Sequence, residues 1–198
     1  MIPAPLCPVC GRPTRKVRSK QSVPTCRYCR REENLDHGRA WTLFVPPLDK
    51  IIHHFKYRRQ QKIGRILGRG MATVLKYDFF LKQSDLITPV PLFWWKRLRR
   101  GYNQSQVLAR VIQQECGIPV CDLLVRRKNT KTQTRLTETR RKENVRDAFR
   151  IKNDAVADKK ILLVDDVMTT GATIRECARI LKAAGAERVY SLVAAITP

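Results

Sequence analysis

A chain of 198 residues with 40 Lys and Arg against 17 Asp and Glu carries a formal net charge of +23 at pH 7. That length holds one domain with a proper core plus a small satellite module, and the charge draws the protein towards polyanions such as nucleic acid or polyphosphate esters, unless it is only a solvated basic surface. The first residues, MIPAPLCPVCGRPTRK, contain no apolar core of signal-peptide length, and nothing later approaches the ~20 apolar residues of a membrane span, so a cytoplasmic protein without a membrane span is expected.

Cys7-x-x-Cys10 and Cys26-x-x-Cys29 stand 15 residues apart, within the spacing of a four-cysteine zinc ribbon. Each C-x-x-C turn offers two thiolates to one side of a tetrahedron, and an all-thiolate shell implies a structural Zn²⁺. Residues 1–35, Pro-rich and basic, have too little apolar periodicity to fold without such a staple and form a separate module, the part that chelation is expected to unfold. His37, His53 and His54 lack ligand spacing and read as surface or packing residues. Cys177 lies in an apolar helical stripe and reads as core.

After a linker around residues 30–40, Leu48, Ile51, Ile52 and Phe55, then Ile63 to Leu75, follow helical spacing. Leu86 to Pro91 reads as a strand stopped by prolines and Phe93 to Tyr102 as a basic, aromatic loop. Asn103, with Gln106 as box partner, caps a helix that ends at Gly117. A short strand at Leu123 to Arg126 leads through a polar basic stretch to a helical pattern from about Thr137 to Phe149. Ile161 to Val164 is a continuous apolar run of the kind found in central parallel strands. A helical stripe from Ile174 to Leu181, a cap at Gly185 and a strand at Val189 to Ile196 complete the chain. The alternation predicts an α/β domain with a mainly parallel sheet flanked by helices, over residues 41–198 with its core at about 85–198.

The segment ILLVDDVMTTGAT, residues 161–173, carries the most chemistry. A buried strand is expected to end at Asp165-Asp166, and a Thr/Gly turn then opens a helix, at the strand end where open α/β sheets bind ligands. Thr169, Thr170, Gly171, Ala172 and Thr173 can wrap a phosphate with N–H groups and hydroxyls at a helix N-terminus, or can be an ordinary capping turn. Two carboxylates would repel phosphate, and suit instead ribose hydroxyls, directly or through Mg²⁺.

This pattern resembles the phosphoribosyl pyrophosphate (PRPP) motif of type I phosphoribosyltransferases. The resemblance implies that Asp165 and Asp166 bind the ribose 2′- and 3′-hydroxyls as the catalytic carboxylates, and that Thr169 to Thr173 bind the 5′-phosphate. Pro89-Val-Pro-Leu92, Arg99-Arg-Gly-Tyr-Asn-Gln104, and Thr132-Gln133, Leu136, Arg141, Asn144-Val145 and Ala148-Phe149 are similar to the ComF family, which includes ComFC-like and GntX-like proteins. With the cysteine module and the HHFKYRRQ region, the likeness covers nearly the whole chain. It implies Mg²⁺ held with PRPP, a role in natural competence and DNA uptake, and single-stranded DNA and a competence helicase as partners. The family often has a further cysteine pair upstream, which leaves a short form and an incomplete N-terminus as alternatives.

Lys96, Arg99 and Arg100 fall where this fold keeps its pyrophosphate loop, and can neutralise a diphosphate leaving group, or can form an exposed basic turn. The resemblance implies that Arg126, Lys128, Gln133 and Arg141 belong to the flexible loop that closes over PRPP in that fold; the same basic stretch could track single-stranded nucleic acid, with Tyr102, Trp94 or Trp95 as stacking platforms. Two functions follow: a glycosyltransferase moving the phosphoribosyl group to an acceptor, or a non-catalytic protein that senses PRPP or binds single-stranded DNA.

Overall fold

The computed structural model describes residues 2, 4–14, 25–30, 33–58, 60–128 and 147–198. Strand β1 (His37–Leu43) is followed by helices α1 (Leu48–Tyr57) and α2 (Gln61–Tyr77), a 3-10 turn (Leu81–Gln83) and strand β2 (Leu86–Pro89). Helices α3 (Trp94–Arg100) and α4 (Gln104–Cys116) lead to β3 (Leu124–Arg126) and β4 (Phe149–Ile151). Strand β5 (Lys160–Met168), helix α5 (Ala172–Ala183) and strand β6 (Arg188–Ile196) close the fold.

Four strands make a parallel sheet in the order β1-β6-β5-β2, and β3 and β4 form a separate antiparallel pair. Strand β5 is central, and Ile161 to Val164 are all fully buried. Their side chains alternate between two cores, as a pleat requires. Ile161 and Leu163 join Ile174, Cys177 and Leu181 of α5, whereas Leu162 and Val164 join Phe55 of α1, Leu67 and Met71 of α2, and Leu108 and Ile112 of α4. Each fully buried aliphatic side chain contributes about 1.5–3 kcal/mol, so this run sets the register of the sheet. Cys177 is buried in the α5-side core, as its apolar stripe predicts.

Several expectations are corrected. The stretch read as a linker around 30–40 contains most of β1, an edge strand paired in register with β6 from His37↔Tyr190 to Leu43↔Ile196. Its polar HGRAWTL sequence hides it, because His37 is buried by pairing with Asp78 at 3.0 Å and stacking on Phe80 rather than by its own hydrophobicity. Phe93 to Tyr102 is not a loop: α3 fills most of it, ended by Gly101 in the left-handed region at φ 84°. Periodicity misses α3 because it buries no residue at all. The cap at Asn103 is made with the Ser105 N–H at 3.2 Å rather than through a box with Gln106. The helical pattern from Thr137 ends in a strand instead, since Phe149 opens β4; residues 129–146 lie outside those described. Finally, β5 does not end at Asp165-Asp166 but runs on to Met168, still paired with β6.

Among the described residues no helix is long and apolar enough to cross a membrane. The two C-x-x-C turns sit on the α5 side of the sheet, with Cys7, Cys10, Cys26 and Cys29 contiguous with its core. Gly11 and Gly38 let the first turn lie backbone to backbone on β1: a Cβ on Gly11 would come within 2.7 Å of the Gly38 carbonyl oxygen.

Candidate functional site

Strand β5 delivers Asp165 and Asp166 to a cavity of about 470 Å³ above the carboxyl ends of β5 and β2, a volume in the range of small-molecule sites. Asp165 Oδ1 accepts from Ser105 Oγ at 2.8 Å and from the Asp166 N–H at 2.9 Å. Burial raises the Asp165 carboxyl to about 6, and the charge of Asp166 adds to the rise, against the pull of Ser105, the Asp166 N–H and Lys56. Asp166 is buried, and its Oδ1 faces Lys56 Nζ at 3.0 Å.

The turn after β5 is held from behind. Arg175 Nη2 donates to the Thr170 carbonyl at 2.5 Å, and the Ala172 N–H points to Thr170 Oγ1 at 3.4 Å. Gly171 takes φ 80°, where an added Cβ would also meet Arg175 Nη1 at 2.7 Å, so only glycine suits this point. Thr169 and Thr173 line the cavity. The turn thus leads into the N-terminus of α5, a place suited to an anion.

Lys96, Arg100 and Arg126 line the same cavity. Burial depresses Lys96 to about 8, with the charges of Arg126, Arg100 and Arg99 adding to the effect. Arg126 is lowered too, first by burial. Like charges crowded this way gain most from an anion among them.

Helix α1 roofs the cavity, contributing Asp49, Ile52, His53, Lys56 and Tyr57. It is latched by the segment from Arg100 to Gln104. Tyr102 Oη donates to the Phe55 carbonyl, Gln104 Nε2 to the Lys56 carbonyl at 3.5 Å, and Arg100 Nη2 to Tyr57 Oη at 3.2 Å. Asn103 Nδ2 donates to the Val90 carbonyl at 3.1 Å and so ties α4 to the end of β2.

The four cysteines form a second centre. Their sulfurs all lie within 4.8 Å of one another, and Cys10 Sγ and Cys26 Sγ are 3.6 Å apart. A tetrahedral site with bonds of about 2.3 Å separates its sulfurs by about 3.8 Å, so the set fits a four-coordinate metal ion. The Cys26 N–H also donates to Cys7 Sγ at 3.4 Å, a contact that favours a thiolate.

The family described as Phosphoribosyl transferase domain matches residues 98–196, from α3 to the end of β6. Competence protein F of Haemophilus influenzae is 34% identical over 152 residues, covering 74% of this chain and 66% of that protein. DNA utilization protein YhgH of Escherichia coli K12 is 32% identical over 201 residues, covering 93% of this chain and 87% of the relative. This chain belongs to the ComF family. A solved structure, the glutamine PRPP amidotransferase of Bacillus subtilis, overlaps 66% of this ComF chain and 25% of its own, with 23% identity and a TM-score of 0.45. The family match over residues 98–196 and the parallel sheet flanked by helices bear out the type I phosphoribosyltransferase fold class expected from sequence, with the four-cysteine cluster beside it.

Within this ComF fold, Asp165, Asp166, Thr169, Thr173, Lys96, Arg100 and Arg126 converge on one cavity. Thr170, Gly171 and Ala172 are buried in the turn behind it. Arg99 is exposed, 5.9 Å from the Tyr57 ring and not part of the wall, and Lys128 is exposed. Gln133 and Arg141 lie outside the described residues. Tyr102 is a latch packed on Phe55 rather than an open platform, whereas Trp94 and Trp95 are 63% and 53% exposed. Sequence reasoning missed Lys56, Ser105, Arg175 and Arg12 as neighbours of the site. Lys56 lies in HHFKYRRQ and Ser105 directly after the Arg99 to Gln104 segment, but their partners are 110 and 60 residues away along the chain, beyond the reach of local pattern.

Proposed function

We propose that the cavity binds PRPP with Mg²⁺ and that the protein transfers the phosphoribosyl group to an acceptor, as a cytoplasmic glycosyltransferase serving the use of imported single-stranded DNA. The observation that carries this reading is the convergence of two adjacent carboxylates, a glycine-containing turn at a helix N-terminus, and Lys96, Arg100 and Arg126 on one cavity. Neither the carboxylates nor the cations would serve an ordinary hydrophobic ligand. A sugar carrying phosphates at both ends needs both.

In this reading the ribose hydroxyls donate to Asp165 and Asp166, and the 5′-phosphate accepts from the N–H groups of Thr169 to Thr173. Lys96, Arg100 and Arg126 face the pyrophosphate. As the C1–O bond breaks, its electron pair leaves with pyrophosphate, and these cations stabilise the growing charge. The acceptor's lone pair forms the new bond to C1, and its proton passes to solvent. Helix α1 keeps other water from the cationic sugar centre. Mg²⁺, when bound with the substrate, supplies further charge neutralisation on the diphosphate, with Asp165 and Asp166 offering the nearby oxygen ligands. The cysteine cluster holds a structural Zn²⁺.

Calorimetric titration with Mg²⁺ and PRPP tests the reading: the wild type should bind, and the double variant Asp165→Asn/Asp166→Asn should lose most of its affinity. Equal affinity in both, or no binding by the wild type, overturns it. Pyrophosphate release screened over nucleobases then separates an enzyme from a sensor. A second reading, binding of single-stranded DNA, is favoured by one feature: α3 exposes Trp94 and Trp95 beside Arg97 and Arg99. Oligonucleotide affinity that did not fall with salt would count against it.

A further inference from the structure

Arg12 follows the first cysteine turn, which closes through hydrogen bonds from the Gly11 N–H to the Cys7 carbonyl at 2.8 Å and from the Cys7 N–H to the Arg12 carbonyl at 2.7 Å. It is only 4% exposed, and its guanidinium lies 4.7 Å from the ring of Tyr28, a residue inside the second cysteine turn. Both turns therefore hold this side chain. Its far end leaves the module altogether. Nη2 donates to the Thr169 carbonyl, and Nη1 donates to the carbonyl of Thr197, to Thr197 Oγ1 at 2.8 Å and to the Pro198 carbonyl at 3.0 Å. Thr197 joins the same knot, with its Oγ1 donating to the Thr169 carbonyl at 3.3 Å and its N–H to the Met168 carbonyl at 3.0 Å.

The consequence lies in the planar peptide. In a trans peptide the C=O of one residue and the N–H of the next point in opposite directions. Arg12 holds the Thr169 carbonyl back, and so turns the Thr170 N–H the other way. Arg175 does the same to the Thr170 carbonyl, and so turns the Gly171 N–H. Two successive amides that face one anion make a nest, and here the carbonyl of each of these two peptides is held by an arginine.

We propose that Arg12 is a positioning residue for the phosphate-binding turn, and that it makes phosphate binding there depend on a filled four-cysteine cluster. The inference rests on the PRPP reading of the turn and adds its regulation: a metal centre with no place in the reaction sets whether the turn can grip its ligand. Loss or oxidation of the cysteines would free Tyr28 and the Cys7 turn, release the guanidinium, and let the Thr169 peptide rotate.

The test uses the full chain with two probes. Ribose 5-phosphate reports on the turn, and inorganic pyrophosphate reports on the Lys96 side of the cavity. In Arg12→Gln, and in wild type stripped with a chelator, ribose 5-phosphate should bind about tenfold or more weakly, the scale of one lost charge-assisted contact, while pyrophosphate affinity holds. Arg12→Lys keeps the charge but lacks the planar two-nitrogen fork that spans the Thr169, Thr197 and Pro198 carbonyls, and should behave like Arg12→Gln. Stripping the metal from Arg12→Gln should add no further loss. Amide hydrogen exchange without ligand should show faster exchange at Thr170 and Gly171 in each variant, with β5 and β6 unchanged. Unaltered ribose 5-phosphate affinity and exchange in Arg12→Gln overturns the proposal, as does an equal loss of both probes, which would mean general destabilisation. If the wild type binds neither probe the PRPP reading fails, and the exchange measurement alone then decides whether Arg12 braces the turn.

Discussion

Lys56 Nζ and Asp166 Oδ1 lie 3.0 Å apart, so a cation carried by the roof helix rests on one of the two carboxylates of the candidate sugar site. The side chains are 23% and 10% exposed, which makes the pair stronger than a surface contact but open to exchange with solvent cations. Lys56 and a divalent ion compete for the same oxygen. Lys56→Met should lower the Mg²⁺ concentration needed for half-maximal PRPP binding several-fold, at about 1 kcal/mol of stability. Magnesium titrations at fixed PRPP check this; an unchanged midpoint would show that Lys56 does not compete.

Asp165 gives the site a pH dependence with a defined sign. Its folded value, about 6, lies above the ordinary 3.8, so the folded state holds the proton more tightly than the unfolded chain. The fold loses stability as pH rises between those values and keeps that deficit at neutral pH. Asp165→Asn should therefore stabilise the protein at pH 7.5, by about 1–3 kcal/mol, while weakening ligand binding. Wild-type PRPP affinity should fall as pH drops through about 6, where the carboxyl gains its proton. Thermal melts of both proteins with calorimetry at pH 5 and 7.5 measure the two effects together.

Lys96 gives the opposite sign on the other side of the cavity. Burial and the nearby Arg126, Arg100 and Arg99 hold it near 8, and a bound diphosphate reverses that balance. Binding at pH 8 should take up as much as about half a proton more in the wild type than in Lys96→Met. Titrations in buffers of different ionisation enthalpy read this directly. Equal proton uptake in the two proteins would place the diphosphate elsewhere.

Metal removal probes the proposed boundary between residues 1–35 and 41–198. The sheet has its own two cores, while the cysteine turns pack on the edge of one of them through their sulfurs, the Arg12 hydrogen bonds and the glycine contact with β1. Chelation should abolish exchange protection at the cysteine turns, leave β2, β5 and β6 protected, and lower the melting temperature by about 5 °C or more as β1 and Arg12 are uncovered. Loss of protection everywhere at one chelator concentration would instead make the chain a single cooperative unit.

What the sequence disclosed follows from how local each signal is. Ile161 to Val164 and the stripe Ile174, Cys177, Leu181 are contiguous or periodic patterns, and they locate the buried part of β5 and the middle of α5, though not the end of β5 at Met168. The Asp165 to Thr173 segment stands out for the same reason, since acids and turn lie close together in the chain, at the end of a strand that runs on to Met168. Strand β1 escapes because its burial depends on Asp78, Phe80 and the cysteine turns. Helix α3 escapes because Trp94, Trp95 and Leu98 face outwards, which removes the apolar stripe on which helix recognition relies. Lys56 and Arg12 escape because a side chain's distant partner leaves no trace in its neighbours.

The roof of the cavity is fastened by Tyr102 and Gln104 to the main-chain carbonyls of Phe55 and Lys56, and by Arg100 to the Tyr57 hydroxyl. None of these bonds involves the side chains of Asp49 and His53, two of the α1 residues that line the cavity, whereas Ile52 is held in the core. On the transferase reading proposed above, acceptor preference is open to change at those two positions while the mounting stays as it is. On that reading, one scaffold can change its clientele by point substitution, without rebuilding the machinery beneath.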